Sequence, residues 1–173
     1  MRLFGEVVAL LDRAGVAHAL IGAAAMAAHG ISRATADVDL LTVDPAVLTA
    51  GSWTPLADAR ASVRVARGDP DDPLAGTVRL TRANDRTVDV VVGRYAWQRE
   101  VAGHAVRVVA LEGLVLLKLY AGGPRDAWDV QLLLEVISEA SAVIEGVERT
   151  LPRLPAESRE LWDRIRSGAK RSS

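Results

Sequence analysis

Apolar positions recur at helical spacing from the start of the chain, where Leu3, Val7, Val8, Leu10 and Leu11 share a face and Gly15 stands ready as a C-cap. Residues 17–21 then form a short apolar run that predicts a buried strand. The Ala-rich stretch 22–28 favours a helix. Residues 38–43 predict a second strand, and Asp44-Pro45 supplies a cap and a first-position proline for a helix behind it. From 51 to 73 no period stands out. Trp53, Pro55, Arg60, Arg64, Arg67 and the run Gly68-Asp69-Pro70-Asp71-Asp72-Pro73 predict a short element and an exposed loop. Two β-rich runs, 77–81 and 87–92, flank Ala83-Asn84-Asp85-Arg86 and read as a hairpin. Residues 94–101 look helical and 104–108 read as a short strand. Leu111, Leu114, Val115, Leu117 and Leu119 make the next helix too apolar for a surface position, and Gly122-Gly123-Pro124 breaks it. Helices are predicted over 125–139, 141–150 and 157–166, with Trp128, Leu132, Leu133 and Val136 at helical spacing in the first of them.

Strands early and helices late predict an α+β fold: a small mixed β-sheet core with helices on one side and a C-terminal helical part. The expected division is a core over 1–110, a helical part over 111–167 packed on it, and a flexible tail over 168–173. At 173 residues, half of them hydrophobic and a quarter charged, the chain suits one such unit with its appendix. A formal net charge of −1 provides no global basic field for nucleic acid. Any RNA contact must therefore be local, and Arg60, Arg64 and Arg67, or Arg149, Arg153, Arg159, Arg164, Arg166, Lys170 and Arg171, are the candidates. Interspersed Glu145, Glu148, Glu157 and Glu160 fit an ordinary solvated face equally well. The absence of cysteine excludes disulfides and thiolate metal sites. No charged leader precedes an unbroken apolar core, and no apolar run reaches about 18 residues, so a cytoplasmic location without membrane contact is expected.

The candidate chemistry is concentrated in residues 21–43. Strand alternation puts Asp37 and Asp39 on one face, with Cα atoms about 7 Å apart. Two carboxylates so placed repel unless a cation or proton offsets them, and a divalent ion is the natural occupant. Asp89, among Val88, Val90, Val91 and Val92, reads either as a polar residue on the hairpin's outer face or as a third carboxylate brought beside the first two. Three such groups can hold two Mg²⁺ ions, with Mn²⁺ as a substitute, about 3.5–4 Å apart for in-line phosphoryl transfer. Gly22 and Ala23 make a tight strand-to-helix turn, of the kind that also lets backbone approach a phosphate. Arg33 can clamp a phosphate or pair with a surface acid; Thr35 can serve the site or cap a turn. Lys118 can snorkel from its helix edge, and His29 reads as structural.

Gly22-Ala23 followed fifteen positions later by Asp37-Val38-Asp39 resembles the signature of the nucleotidyltransferase superfamily, the polymerase-β-like fold. With His29-Gly30, Arg33, Thr35 and Leu40 added, the phrase is similar to the branch of AbiEii-type toxins and related small bacterial nucleotidyltransferases. Residues 111–121, followed by Arg125-Asp126 and Asp129-Val130, resemble that family's second signature. The resemblance implies that Asp37, Asp39 and Asp89 are metal ligands and catalytic residues. It also implies that Gly22 and Ala23 form the phosphate loop, that Lys118 meets a phosphate, and that Asp126 and Asp129 tie the helices to the active-site loops; Arg33 and Thr35, part of the same phrase, are the further candidates for binding the nucleotide phosphates. Ala23 and Gly113 depart from the usual Gly or Ser and the usual acid.

The implied activity is Mg²⁺-dependent transfer of a nucleoside monophosphate from a nucleoside triphosphate to a hydroxyl on tRNA or on a partner protein, in a toxin–antitoxin or phage-defence setting with a cognate antitoxin or toxin. Two alternatives differ in class: a catalytically silent module that binds nucleotide or a partner, and a small-molecule transferase acting on an antibiotic.

Overall fold

The computed structural model describes residues 2–31, 34–72, 74–93, 100–101 and 107–169. The chain divides into two compact units, residues 1–28 with 32–109, and residues 29–31 with 110–173. Helix α1 (Arg2–Arg13) opens the first unit, and β1 (His18–Ile21) runs directly into α2 (Gly22–Ala28). After β2 (Asp37–Thr42) come two 3-10 turns, Pro45–Leu48 and Ala50–Trp53, and the short helix α3 (Thr54–Asp58). Strands β3 (Ser62–Arg67), β4 (Leu74–Thr81), β5 (Thr87–Gly93), β6 (Glu100–Val101) and β7 (Val108–Val109) complete it. The strands form one mixed sheet in the order β3-β4-β5-β2-β1-β7-β6.

Alternation along the strands sorts the side chains between the two faces of that sheet. Val78 and Leu80 of β4, Val88, Val90 and Val92 of β5 and Leu40 of β2 point to one face. There they pack with Leu3, Val7 and Leu11 of α1, with Val47, Leu48 and Trp53 of the 3-10 turns and with Leu56 of α3. Burial of these branched side chains, each contributing about 1.5–3 kcal/mol, fixes the register, because a one-residue slip would turn every one of them to the other face. The Trp53 indole NH donates to the Val47 carbonyl at 2.7 Å, so its polar edge is satisfied inside the core. The β4–β5 turn anchors α1: both carboxylate oxygens of Asp85 accept, at 3.0 Å each, from the amides of Arg2 and Leu3 at the helix start. Arg82 beside it grips Glu6 through two hydrogen bonds of 3.0 and 2.7 Å.

The second unit contains α4 (Leu111–Ala121), α5 (Pro124–Val136), α6 (Ala140–Thr150) and α7 (Ala156–Ala169). Helix α4 packs against the other three, which explains its apolar circumference. It ends at Gly122, whose φ of 68° is the left-handed cap that glycine adopts at little cost. Among the described residues no helix is long and apolar enough to cross a membrane.

Several elements differ from the sequence expectation. The helix expected behind Asp44 is a single 3-10 turn, although Asp44 does cap it by accepting from the Ala46 amide at 2.9 Å. Residues 62–67, expected within a short element and loop, form edge strand β3, in which partly buried Val63 and Val65 supply the alternation. Glu100 and Val101, expected at the end of a helix, form a strand paired with β7, and residues 94–99 lie outside the described residues. The strand expected over 104–108 is described only as Val108–Val109. Helix α7 continues to Ala169, two residues into the expected tail, and 170–173 lie outside the described residues.

Candidate active site

Asp37 and Asp39 stand at alternate positions of β2, on the sheet face opposite the apolar core. The parallel pairing of β2 with β5 sets Asp39 directly beside Asp89, with Val38 beside Val88 and Leu40 beside Val90. All three acids therefore share one face. The row extends across the sheet, because Asp89 faces Arg79 of β4, and Arg79 in turn faces Arg64 of β3. Neighbouring strands lie about 4.8 Å apart, so two cations and two anions occupy successive positions along one line.

Asp89 is buried at 5% exposure and is held at both oxygens. Arg79 Nε donates to its Oδ1 at 2.9 Å and Nη2 donates to Oδ2 at 2.7 Å, the bidentate geometry that planar guanidinium provides. These hydrogen bonds, and the Coulomb field of Asp89 behind them, push the Arg79 pKa further up against an opposing cost of burial; Asp37 and Asp39 add to the rise. Arg79 is thus the direct counter-cation of Asp89, and its own side chain remains 54% exposed.

Asp37 is oriented locally. The Thr35 hydroxyl lies 2.8 Å from Asp37 Oδ1 and 3.0 Å from its carbonyl oxygen, and donates to either. Gly22, first residue of α2, has a φ of 65°, a conformation that a β-carbon makes unfavourable. Any β-carbon there would also collide with the Asp39 carboxylate. Ala23 is buried next to it. Gly22 is required both by the turn and by the approach of the acid. Arg33 lies outside the described residues.

Lys118 belongs to the other unit. Its Nζ is 2.6 Å from Asp126 Oδ1 and 2.7 Å from Asp129 Oδ2, and Asp129 is fully buried. Both acids that the resemblance expects to tie the helices to active-site loops lie within ion-pair distance of this lysine of the preceding helix. Among the described residues, no three His, Cys, Asp or Glu side chains form a group that would hold a metal ion as they stand. Asp89, the third acid in register, accepts from Arg79 at both oxygens. Hard carboxylate oxygens suit Mg²⁺ or Mn²⁺. The carboxylates of Asp37, Asp39 and Asp89 are ligands of that chemical type, set on one sheet face by the register of β2 and β5.

Arg79 is the residue that the sequence reading missed. A four-residue turn over 83–86 would set Leu80 across from Asp89, whereas the observed register pairs Leu80 with Val88 and Arg79 with Asp89. The only signal available was the apolar face itself, since Val78 and Leu80 must point with Val88 and Val90.

No protein-family model and no curated protein matches the sequence. Solved structures do match its fold. The solution structure of the antibiotic-resistance factor ANT(2'')-Ia aligns over 88% of this chain and 91% of its own, with a TM-score of 0.58 at 15% identity. The crystal structure of a provisionally assigned nucleotidyltransferase from H. pylori aligns over 90% of this chain and 78% of its own, with a TM-score of 0.52 at 15% identity. At that identity the likeness shows the fold, and the fold is that of the nucleotidyltransferases.

Proposed function

We propose that the chain transfers a nucleoside monophosphate from a nucleoside triphosphate to an acceptor hydroxyl. The observation that carries this reading is the alignment of Asp37, Asp39 and Asp89 on one sheet face of a nucleotidyltransferase fold, with Gly22 shaped around the Asp39 carboxylate. In the transfer, the acceptor oxygen forms a bond to the α-phosphorus as the bond to the bridging oxygen breaks, and pyrophosphate leaves with that oxygen. Asp37 and Asp39 would hold a divalent ion, Mg²⁺ by preference, with Asp89 as the third ligand once it leaves Arg79. Bound there, the ion supplies positive charge against the charge that develops on the phosphoryl group and the pyrophosphate. Thr35 keeps the Asp37 carboxylate oriented through its hydroxyl. Asp89, beside Asp39, is the group suited to take the acceptor proton. The guanidinium groups of Arg79 and Arg64, on the same face, favour an anionic substrate such as a triphosphate.

For the acceptor, the sequence phrase around Asp37 favours tRNA or a partner protein, as in AbiEii-type toxin systems with a cognate antitoxin. The near-complete mutual coverage with an antibiotic-resistance factor favours a small hydroxylated molecule. Transfer of labelled nucleotide to tRNA, to extract protein and to a panel of hydroxyl-bearing antibiotics separates these acceptors. Only the RNA arm should weaken steeply with salt. The decisive variant is Asp39→Asn, which keeps size and loses charge. Transfer and pyrophosphate release should fall by about 100-fold or more, while the metal-free protein melts at or above the parent temperature because repulsion among the acids is relieved. A variant that transfers at the parent rate would remove the carboxylates from the chemistry. A metal-free melting temperature far below the parent's would make Asp39 structural.

A further inference from the structure

The bidentate pair of Arg79 and Asp89 has a consequence for the ion site, and it rests on the transferase reading above. Asp89 is the acid in register with Asp39, and both of its oxygens already accept hydrogen bonds from Arg79, from Nε at 2.9 Å and from Nη2 at 2.7 Å. A divalent cation that recruits Asp89 meets the positive guanidinium held against the same buried carboxylate, so the two cations compete for it. The two partners are unequally placed for that exchange: the Asp89 side chain is 8% exposed, the Arg79 side chain 54%. The arginine can therefore swing into water without unpacking the sheet, and the aspartate cannot.

We infer that Arg79 is a positioning residue that latches Asp89 in the ion-free protein and competes with the divalent cation for its carboxylate. The latch offsets the cost of three acids side by side, which would otherwise have to protonate or spread apart. It also lowers the apparent affinity for the ion, because only molecules with Asp89 released offer the full ligand set. A latch closed in roughly nine molecules of ten weakens binding about tenfold. Metal binding and release of Arg79 are then one equilibrium, and a phosphate that engages the released guanidinium tightens the ion's hold.

The test uses Mn²⁺ alone, followed by electron paramagnetic resonance and calorimetry, with the intact chain and four variants. Arg79→Gln should bind Mn²⁺ about tenfold more tightly than the parent, melt lower without the ion, and gain more in melting temperature from it. Arg79→Lys keeps the charge without the fork; it guards against misfolding of the glutamine variant and should bind with intermediate affinity. Arg64→Gln removes a charge from the same face without touching Asp89, so its affinity should change by no more than about twofold at physiological salt. A merely structural arginine would not raise metal affinity when removed. If Arg79→Gln binds no more tightly than Arg64→Gln, the latch is overturned. If, in that case, the parent binds Mn²⁺ and Asp39→Asn does not, the transferase reading survives the loss of the latch. If the parent and all variants fail to bind, both are overturned.

Discussion

Replacing Gly22 by alanine isolates how the turn and the acid depend on each other. The substitution has two separable costs. A β-carbon at a φ of 65° costs about 1–2 kcal/mol on backbone grounds alone. The same atom strikes the Asp39 carboxylate, which must turn away from its preferred rotamer for a further 0.5–1.5 kcal/mol or so. A total near 2–3 kcal/mol lowers the melting temperature of a chain this size by about 4–12 °C. A displacement of Asp39 by about 1 Å would also reduce transfer by roughly 100-fold. The two costs separate in a double-mutant cycle with Asp39→Ala. Without the carboxylate, Gly22→Ala should retain only its backbone cost, leaving a coupling of about 1 kcal/mol. Thermal and urea unfolding of the four proteins measure it. A shift below about 2 °C for Gly22→Ala, or the same cost in both backgrounds, would refute the steric link between the turn and the acid.

Two further substitutions probe the supports of the site. Lys118→Met should lower the melting temperature by about 6–12 °C, because it removes a charge partner of fully buried Asp129, a loss of about 3 kcal/mol; normal melting with lost transfer would instead make Lys118 the phosphate contact that the sequence resemblance implies. Asp85→Ala should lower it by roughly 3 °C through loss of the α1 cap. Burial alone would raise the Asp85 carboxyl, but the amides of Leu3 and Arg2 together with the positive N-terminus outweigh it and hold it below the usual value of 3.8. A depressed pKa stabilises the fold above the unfolded value and loses that contribution as pH falls through the folded one. The parent–variant difference should therefore be full at neutral pH and shrink below about pH 4. Glu6, held down chiefly by its hydrogen bonds to Arg82, adds acid sensitivity of the same sign. A difference that grows on acidification would contradict the cap.

The parts of this fold that were legible in sequence are those whose signals are local. The strand–glycine–helix passage at 18–28 announced itself through Gly22 and its alanines, and the β4–β5 hairpin through Asn84, which takes a φ of 63° in the turn. Alternation alone put Asp37 and Asp39 on one face. What escaped depends on partners distant in sequence or on a single residue of register. Strand β3 was hidden because Arg64 and Arg67 overlie a pattern carried by only Val63 and Val65. The Asp85 cap joins residues more than 80 positions apart, as does the core that orders it. The Lys118 cluster spans a helix break. The Arg79–Asp89 pair was lost to one residue of turn length, which in a hairpin decides every facing pair.

That sensitivity to register explains how three acids can be aligned without an ion to gather them. In β2, Val38 and Leu40 enter the apolar core while Asp37 and Asp39 point away; in β5, Val88 and Val90 do so while Asp89 points away. The hydrophobic face holds the two strands in step, and the acids on the reverse inherit that alignment. Their mutual repulsion opposes the fold by far less than the core favours it, and Arg79 removes part of it. The three acids thus take their alignment from the apolar face behind them, while Leu41, Ala19 and Ile21 are buried on their own face. Neutralising an acid on the reverse face should consequently leave the fold standing, whereas a polar substitution at Leu40 or Val90 should unfold the sheet and scatter the acids with it.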